Sequence, residues 1–312
     1  MSHLSSETLV FIVGGQSNAS GRGDLVDLPA GFNNPDPYIR MFGNDFVYRP
    51  ATESVDSNTN QVHAVSSDPS TVGFGLSFAK KVKRFRKESI LLVPCAMGGT
   101  RVTGIENAFK WNIEPKTTHY LTSRLFGSML MRTGLAGLRG KLAGLLWYQG
   151  ETDAQDIAAP PIFAESTQAI WTRFREELNA PKLPIISVRL HPTNPNAGLY
   201  VAWDDIRTAQ LTLDSSTQVV LGEHDDSQGR RVRTAVILGV TYPYYGDNYP
   251  PGGAWPTFDV WLDRLLVSLS LSPNQVVVDS SGALKPDLVH IATSAQLSLG
   301  ERMADAWLAM NY

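Results

Sequence analysis

Short apolar runs alternate along the chain with longer segments of helical periodicity. Six runs have the length and β-branched composition of buried strands: LVFIVG, SILLVPC, AGLLWYQ, LPIISVRL, TQVVLGE and QVVVDS. The segments that lead into the second to fifth runs repeat apolar residues at helical spacing: VGFGLSFAKKVKRFRK, YLTSRLFGSMLMRTGLAGL, IFAESTQAIWTRFREEL and WDDIRTAQLTL. Strands that alternate with helices are typical of a parallel sheet covered on both faces. The sequence therefore predicts an α/β fold.

The length of the chain, 312 residues, permits one large α/β domain or two small ones. Neither an internal repeat nor a linker divides it, so we expect a single domain spanning residues 1–312. Two segments interrupt the alternation: a polar, loop-like insertion at about 27–71, and an insertion at about 227–272 that is rich in aromatic residues, glycine and proline. Ligands of parallel α/β sheets bind beyond the carboxyl ends of the strands, where such loops collect. Both insertions are therefore expected to wall a site.

Charge and cysteine content exclude several classes of protein. The formal net charge of −3 gives no general attraction to nucleic acid or to an anionic membrane. The basic run from Lys80 to Lys87 has the spacing of a solvated helix face. A single cysteine, Cys95, excludes an intramolecular disulfide framework and a cysteine-rich metal site. With no secretory signal and no run of about 20 apolar residues, we expect a soluble protein that is cytoplasmic, released by another route or part of a larger particle.

The segment HIATSAQLSLGERMADAW predicts a closing helix with its own start signal. Thr293 as N-cap and Gln296 three residues later form a capping box. Apolar and small residues repeat on one face of this helix, which we expect to pack on the sheet. They are Leu297, Gly300, Ala304 and Trp307.

Polar or glycine-rich clusters follow four of the six predicted strands. They are Gly15-Gln16-Ser17-Asn18 after the first strand, Gly98-Gly99-Thr100 after the second, Gln149 after the third, and Asp287 with His290 after the last. Because the carboxyl ends of parallel strands lie at one edge of a sheet, we expect the four clusters to converge there.

These clusters supply the parts of an acyl-transfer site, which needs a hydroxyl nucleophile, a base, an orienting acid and donors for the oxyanion. Ser17 would be the nucleophile and His290 its base. Asp287, three residues before the histidine, would accept the Nδ1 proton of the imidazole. The expected oxyanion donors are the backbone N–H groups of Ser17 and Gly98 and the side-chain amide of Gln149. That amide could instead satisfy backbone groups at the end of the strand.

Ala19, two residues after Ser17, excludes the G-x-S-x-G elbow of α/β-hydrolases. The blocks GGQSNASG, VPCAMGGT, LLWYQGETDA and DLVHIATSAQLSLGERMADAW resemble instead the four blocks of SGNH hydrolases. More narrowly, they resemble the sialate O-acetylesterase-type carbohydrate esterases, the group that includes acetylxylan esterases. The resemblance implies a flavodoxin-like, three-layer α/β/α fold with a mostly parallel central sheet, and hydrolysis of acetyl esters on sugars without a metal or other cofactor.

The same resemblance implies that Ser17, Asp287 and His290 form a catalytic triad, with Gly98 and Gln149 in the oxyanion hole. This sequence departs from the pattern of the family in its carboxyl-terminal part. Members of the family pass quickly from the fifth strand to the Asp-x-x-His block, whereas about 50 residues intervene here. This difference leaves the identity of the sugar open.

Residues close to the four blocks are candidates for contact with the substrate: Gln16, Asn18, Gly99, Arg101, Glu151, Tyr245 and Trp255. Structural roles are open for several of them, since Arg101 could tie two loops and Glu151 with Asp153 could brace loops. The two aromatic candidates belong to a cluster that could stack on sugar rings, anchor the insertion or contact another subunit. A sialate carboxylate would require an arginine in the pocket, and the candidates are Arg22, Arg101, Arg230 and Arg231.

The expected partner is thus an acetylated carbohydrate: a sialic acid, xylan or another acetylated polysaccharide. One alternative is a lipid or thioester hydrolase of the same superfamily, for which a preference for octanoyl over acetyl esters would argue. Another is an inactive carbohydrate-binding module on the esterase scaffold, which would bind sugar without turnover. As an enzyme, the protein should gain activity with rising pH as His290 loses its proton. The sequence does not indicate the oligomeric state.

Overall fold

The computed structural model of the protein describes residues 8–55, 61, 71–104, 110–111, 113, 124–213, 218–225, 231–237, 240–244 and 275–310. For residues 124, 218–225, 231–237, 240–244 and 275, it describes only the backbone. Within these ranges the chain forms a ten-stranded sheet and six α-helices.

The strands are, in chain order, β1 Thr8–Gly15, β2 Ile39–Phe42, β3 Tyr48–Pro50, β4 Ser89–Ala96, β5 Lys141–Tyr148, β6 Ile185–Arg189, β7 Gln218–Asp225, β8 Arg231–Ile237, β9 Val240–Tyr244 and β10 Gln275–Asp279. They lie side by side in the order β3-β2-β4-β1-β5-β6-β10-β7-β8-β9. From β2 to β7 in this order all neighbours are parallel, whereas β3, β8 and β9 add to the two edges in antiparallel pairing. The six predicted strands and the mostly parallel sheet are confirmed.

Helices cover both faces of this sheet. They are α1 Ser17–Ser20, α2 Gly75–Phe85, α3 Arg124–Gly137, α4 Pro160–Glu177, α5 Trp203–Leu211 and α6 Thr293–Met310. α2 and α6 pack together on one face, and α3, α4 and α5 lie on the other. In α2 the apolar side chains of Leu76, Phe78 and Val82 are buried, as expected for a helix with one apolar stripe. The three-layer α/β/α arrangement is confirmed.

The central strand β1 is flanked by β4 and β5, and every residue in it is buried. It ends at Gly15, whose φ is +118°. A Cβ at this position would lie 2.0 Å from the carbonyl oxygen of Tyr148 on β5, so glycine is required where the chain leaves the sheet. This turn delivers Ser17 to the first position of α1, at the carboxyl edge of the sheet.

The closing helix α6 packs by the predicted face. Gly300 lies so close to α2 that a Cβ would meet the backbone of that helix at 2.3 Å. Ala304 and Trp307 are buried, Leu297 is half-buried, and the indole Nε1 of Trp307 donates to the carbonyl oxygen of Ala143 on β5 at 2.7 Å. The helix is thereby fixed to the middle of the sheet.

The capping box predicted at Thr293 and Gln296 is wrong. The hydroxyl of Thr293 donates to the carbonyl oxygen of Asp24 at 2.9 Å, and Nε2 of Gln296 donates to the carbonyl oxygen of Asn18 at 3.2 Å. The two side chains therefore fasten the start of α6 to the segment that follows β1. A local sequence pattern cannot distinguish such tertiary hydrogen bonds from a helix cap.

The insertion at 27–71 is not only a loop, because it contains β2 and β3. Ile39 and Met41 of β2 are buried, and the ring of Phe42 stacks on that of Tyr48 with 4.5 Å between centroids. These strands have four and three residues, too few for an alternating pattern to stand out in a polar segment. In the insertion at 227–272, β8 and β9 extend the sheet, and residues 245–274 lie outside the described residues.

Candidate active site

The loops that follow the parallel strands meet at the carboxyl edge of the sheet. Ser17 follows β1, Gly98 follows β4, Glu151 follows β5, Tyr200 lies in the loop after β6, and His290 lies after β10. All five line one pocket of about 390 Å³. The predicted convergence of the strand ends is therefore present.

A hydrogen-bonded chain joins Ser17, His290 and Asp287. Nε2 of His290 lies 3.0 Å from Oγ of Ser17, and Nδ1 lies 2.7 Å from Oδ2 of Asp287. An ionised carboxylate can only accept hydrogen bonds, so Nδ1 carries the proton of the neutral ring and Nε2 is free to accept. The arrangement can thus transfer the hydroxyl proton of Ser17 to the imidazole.

The turn that carries His290 is built around the Asp287 carboxylate. Oδ1 of Asp287 accepts the backbone N–H of Val289 at 3.0 Å and that of His290 at 2.9 Å. Leu288 between them adopts φ +59°, which lets the chain reverse within four residues. Partial burial tends to raise the pKa of Asp287, but the hydrogen bonds from His290 and Val289 hold it below its usual value. The carboxylate therefore stays ionised beside the imidazole.

The backbone N–H of Ser17 is positioned to bind negative charge. It lies at the amino end of α1 and has no hydrogen-bond partner among the described residues. N–H groups in the first turn of a helix are unsatisfied by the helix itself and attract anions. Gly98, the second predicted donor, lies in the lining of the same pocket.

The side chain of Gln149 does not face this pocket. It is 1% exposed, and its Nε2 donates to the carbonyl oxygen of Thr100 at 2.6 Å and lies within 3.2 Å of Gln16 Oε1 and Asp153 Oδ2. Its Oε1 accepts the hydroxyl of Thr100 at 3.2 Å. All three neighbours of Nε2 are acceptors, so the orientation of the amide is determined chemically. These contacts favour the alternative to the predicted oxyanion role, in which the Gln149 amide satisfies groups at the strand end.

Asn18 and Gln16, both predicted to contact substrate, occupy different environments. Asn18 is completely buried outside the pocket lining, so that prediction is wrong for Asn18. Its side chain bonds to Glu151 and to the backbone on both sides of His290. Gln16 does line the pocket, although its Oε1 accepts hydrogen bonds from Gln149 and Thr152.

Glu151 and Asp153 are two buried carboxyls with different surroundings. Asp153 accepts from the backbone N–H groups of Val102 and Thr103 and from the Thr103 hydroxyl, so it braces the loop after β4. Burial raises its pKa, although these hydrogen bonds oppose the shift. Burial also raises the pKa of Glu151 to about 7, with Asp153 adding to the shift and Asn18 opposing it. Glu151 differs from Asp153 in lining the pocket.

The remaining predicted contacts divide between the pocket and other places. Gly99 lies in the lining, whereas Arg101 does not and instead accepts the Trp111 N–H at its carbonyl oxygen, as a loop tie would. Tyr245, Trp255 and Arg230 lie outside the described residues, and the side chain of Arg231 is not described.

The lining also contains residues that the sequence analysis missed, together with one of its arginine candidates. They are Thr152, Gln155, Tyr200 and Val289, and the arginine is Arg22. Tyr200 belongs to a loop rich in proline and asparagine directly after a predicted strand, and that position was a usable signal.

Comparison with known proteins identifies the family of the chain. The family model for carbohydrate esterases described as sialic acid-specific acetylesterase matches residues 7–231. The chain belongs to this family of carbohydrate esterases. A probable carbohydrate esterase of Arabidopsis thaliana is 28% identical over 320 positions, which cover 96% of this chain and 90% of that protein.

Solved structures share the fold of this carbohydrate esterase. An X-ray structure of an Arabidopsis thaliana protein has a TM-score of 0.64 at 25% identity and covers 96% of this chain and 98% of that one. NanS follows with 0.57 at 17% identity, covering 96% of each chain. A carbohydrate acetylesterase from Xanthomonas citri has 0.53 at 17% identity, covering 95% of this chain and 55% of that one. At 17% identity, the latter two establish the fold alone.

The family match in this carbohydrate esterase ends at residue 231, before Asp287 and His290. The sheet brings these residues back to Ser17, because β10 lies between β6 and β7 and aims its carboxyl end at the same edge. No helix of the described part could cross a membrane. The same residues contain no cluster of three or more His, Cys, Asp or Glu side chains suited to a metal ion.

Proposed function

We propose that the protein is a serine O-acetylesterase that removes acetyl groups from a carbohydrate through an acetyl-serine intermediate. The observation that carries this proposal is the pair of short contacts made by the His290 ring, 3.0 Å to Ser17 Oγ and 2.7 Å to Asp287 Oδ2. The imidazole thus lies between a hydroxyl it can deprotonate and a carboxylate that stabilises its charged form.

In the first half of the reaction, Oγ of Ser17 attacks the acetyl carbonyl carbon while Nε2 of His290 takes the hydroxyl proton. The tetrahedral oxyanion is stabilised by the Ser17 N–H and by the backbone at Gly98. Collapse breaks the ester C–O bond, and the imidazolium returns its proton to the departing sugar oxygen. Asp287 remains ionised and holds the imidazolium by its Nδ1 proton.

In the second half, water takes the place of the sugar alcohol. Nε2 of His290 removes a proton from this water as its oxygen attacks the acetyl carbon of acetyl-Ser17. The ester bond to Oγ breaks, the proton on Nε2 passes to Oγ, and acetic acid leaves and ionises to acetate in solution. The imidazole of His290 makes every proton transfer, so this mechanism requires no other acid or base from the described residues.

The walls of the pocket favour a polar substrate. The lining includes the side chains of Gln16, Arg22, Gln155 and Tyr200, which suit sugar hydroxyls, and Val289 is the one aliphatic side chain that the described residues contribute to it. Arg22 also offers a guanidinium for a carboxylate, and the matching family is described as specific for sialic acid. An O-acetylated sialic acid is therefore the first substrate to test, ahead of neutral acetylated sugars such as xylan.

The direct test compares the wild-type protein with Ser17→Ala on p-nitrophenyl acetate and on acetylated glycans, following the release of p-nitrophenol and acetate. The wild type should turn over both, and Ser17→Ala should lose at least about 10³-fold in kcat. Ser298→Ala is a matched control, because it removes the same hydroxyl from an exposed position on α6, away from the pocket lining. Undiminished turnover by Ser17→Ala would refute the mechanism.

Acyl chain length separates the acetylesterase from the lipid or thioester hydrolase. The acetyl ester should be cleaved with a higher kcat/KM than the octanoyl ester, because most residues that line the pocket carry polar side chains and offer an octanoyl chain few apolar partners. A preference for octanoyl would support the lipid hydrolase. Sugar binding without turnover at any pH would support the inactive binding module.

A further inference from the structure

A single amide, that of Asn18, contacts the backbone on both sides of His290. Its Nδ2 donates to the carbonyl oxygen of Val289 at 3.2 Å, and its Oδ1 accepts the N–H of Ile291 at 3.1 Å. Asn18 is also the residue directly after Ser17 and is completely buried. The amide therefore links the segment that carries the serine to the segment that carries the imidazole.

The second N–H of the Asn18 amide donates a hydrogen bond to Glu151. Nδ2 donates to Oε1 of Glu151 at 2.7 Å, in a place where Glu151 itself is only 1% exposed. If the amide turned over, its oxygen would face two acceptors, Glu151 Oε1 and the Val289 carbonyl, and its NH₂ group would face the N–H of Ile291. The carboxyl of Glu151 thus adds to the two backbone contacts in fixing the orientation in which both sides of His290 are held, and it holds the amide from the side opposite to the backbone of His290.

We infer that Glu151 is a positioning residue, which acts through Asn18 to hold the imidazole of His290 against Ser17. The inference rests on the proposed esterase function. Oε1 can accept the amide proton whether the carboxyl is ionised or protonated on its other oxygen, so this role does not depend on the charge of Glu151. Asp153, two residues later, bonds instead to the loop after β4 and has no such link to His290.

The rival interpretation is direct contact between Glu151 and substrate, since Glu151 lines the pocket. The two roles differ in kinetics. A substrate contact contributes to binding, so its loss raises KM, whereas a misplaced imidazole lowers kcat and leaves KM nearly unchanged. A displacement of about 1 Å in a catalytic group can cost about 10²-fold in rate.

The experiment measures kcat and KM on p-nitrophenyl acetate and on an acetylated sugar for Glu151→Ala, Asn18→Ala, the double variant and Glu151→Gln. We expect each alanine variant to lose about 10- to 100-fold in kcat with KM within about 2-fold. The double variant should be no slower than the slower single variant, because both substitutions break the same link. Glu151→Gln should stay within about 5-fold of wild type, because its side-chain oxygen can still accept the Asn18 proton.

Three results would overturn the inference: wild-type kcat in either alanine variant, a change confined to KM in Glu151→Ala, or losses that multiply in the double variant. If Glu151→Ala does not fold, Glu151→Met takes its place, because methionine keeps the volume of the side chain but offers the Asn18 amide no strong acceptor. The rate at which a fluorophosphonate labels Ser17 gives a second readout that requires no ester turnover. A wild-type protein that hydrolyses no ester would refute the proposed function, whereas slower labelling of Glu151→Ala would still support the positioning role.

Discussion

Nε2 of Gln149 donates to the carbonyl oxygen of Thr100 at 2.6 Å, a bond that joins the end of β5 to the loop after β4. Both residues are buried, so no water can replace either partner. The glutamine that follows the third predicted strand is therefore part of the scaffold beneath the pocket. In the proposed mechanism, the oxyanion is therefore assigned to backbone N–H groups, those of Ser17 and Gly98, and not to the Gln149 side chain.

Replacing Gln149 should lower the free energy of unfolding of the protein more than it lowers kcat. Gln149→Ala leaves buried acceptors without a donor, and we expect the free energy of unfolding to fall by about 1–3 kcal/mol, measured by urea denaturation. Gln168→Ala on α4 is the matched control, because the same side chain there makes only a long bond to Thr172, at 3.4 Å. A loss of about 10²- to 10³-fold in kcat with unchanged stability would instead restore Gln149 to the oxyanion hole.

Asp287→Asn tests whether the carboxylate orients the imidazole. The asparagine can keep the backbone hydrogen bonds, but it stabilises the charged imidazolium poorly and permits the wrong tautomer. We expect kcat on p-nitrophenyl acetate to fall by at least about 10²-fold, with thermal stability little changed. Asp305→Asn, which changes a surface ion pair with Lys81, provides the control. Full activity of Asp287→Asn would leave His290 without a required partner.

Arg22 should govern the recognition of a carboxylate on the sugar. Arg22→Gln removes the charge, and KM for an O-acetylated sialic acid should rise by about 10-fold or more, since a hydrogen bond to a charged group contributes about 1.5–3 kcal/mol. KM for p-nitrophenyl acetate, which has no carboxylate, should not change. An equal rise for both substrates would indicate that Arg22 supports the pocket, for example through its bonds to Ser20 and Gly21, and does not read the sugar.

The burial of Glu53 leads us to expect that the stability of the protein depends on pH. Burial raises the pKa of Glu53 from 4.5 to about 8, so the native state holds a proton that the unfolded chain releases from pH 4.5 upwards. The free energy of unfolding should therefore fall as pH rises from about 4.5 to about 8, by up to about 5 kcal/mol. In Glu53→Gln this contribution should vanish, and the variant should gain on the wild type with rising pH. Urea denaturation at several pH values measures it, with exposed Glu301→Gln as control, and parallel curves would contradict the assignment.

The alternation of six buried strands with helices and the convergence of Ser17, Asp287 and His290 were predictable because they depend on patterns that the sequence states directly. Apolar runs mark buried strands, and parallel strands bring their carboxyl ends to one edge. The turn with Asp287 three residues before His290 is equally local. These features need no knowledge of how any loop is folded.

Other features depend on where loops place their backbone, which no periodicity records. Gln149 finds its acceptor on Thr100, and Asn18 finds its partners at Val289 and Ile291, far away in sequence. Thr293 has the sequence signature of a cap, yet bonds to the segment after β1. In each case a polar side chain next to a strand or helix end had two possible directions, and only the tertiary structure chooses between them.

The position of β10 between β6 and β7 has a consequence for how the molecule assembles. The last strand in the chain separates two that are made earlier, so β7, with β8 and β9 attached, cannot reach its final place until residues 275–279 have been inserted. Pairings between segments so distant in the chain form slowly, because a long loop must close before any contact is gained. The pocket therefore becomes complete only when this strand and the turn after it, which carries His290, have joined the sheet beside Ser17.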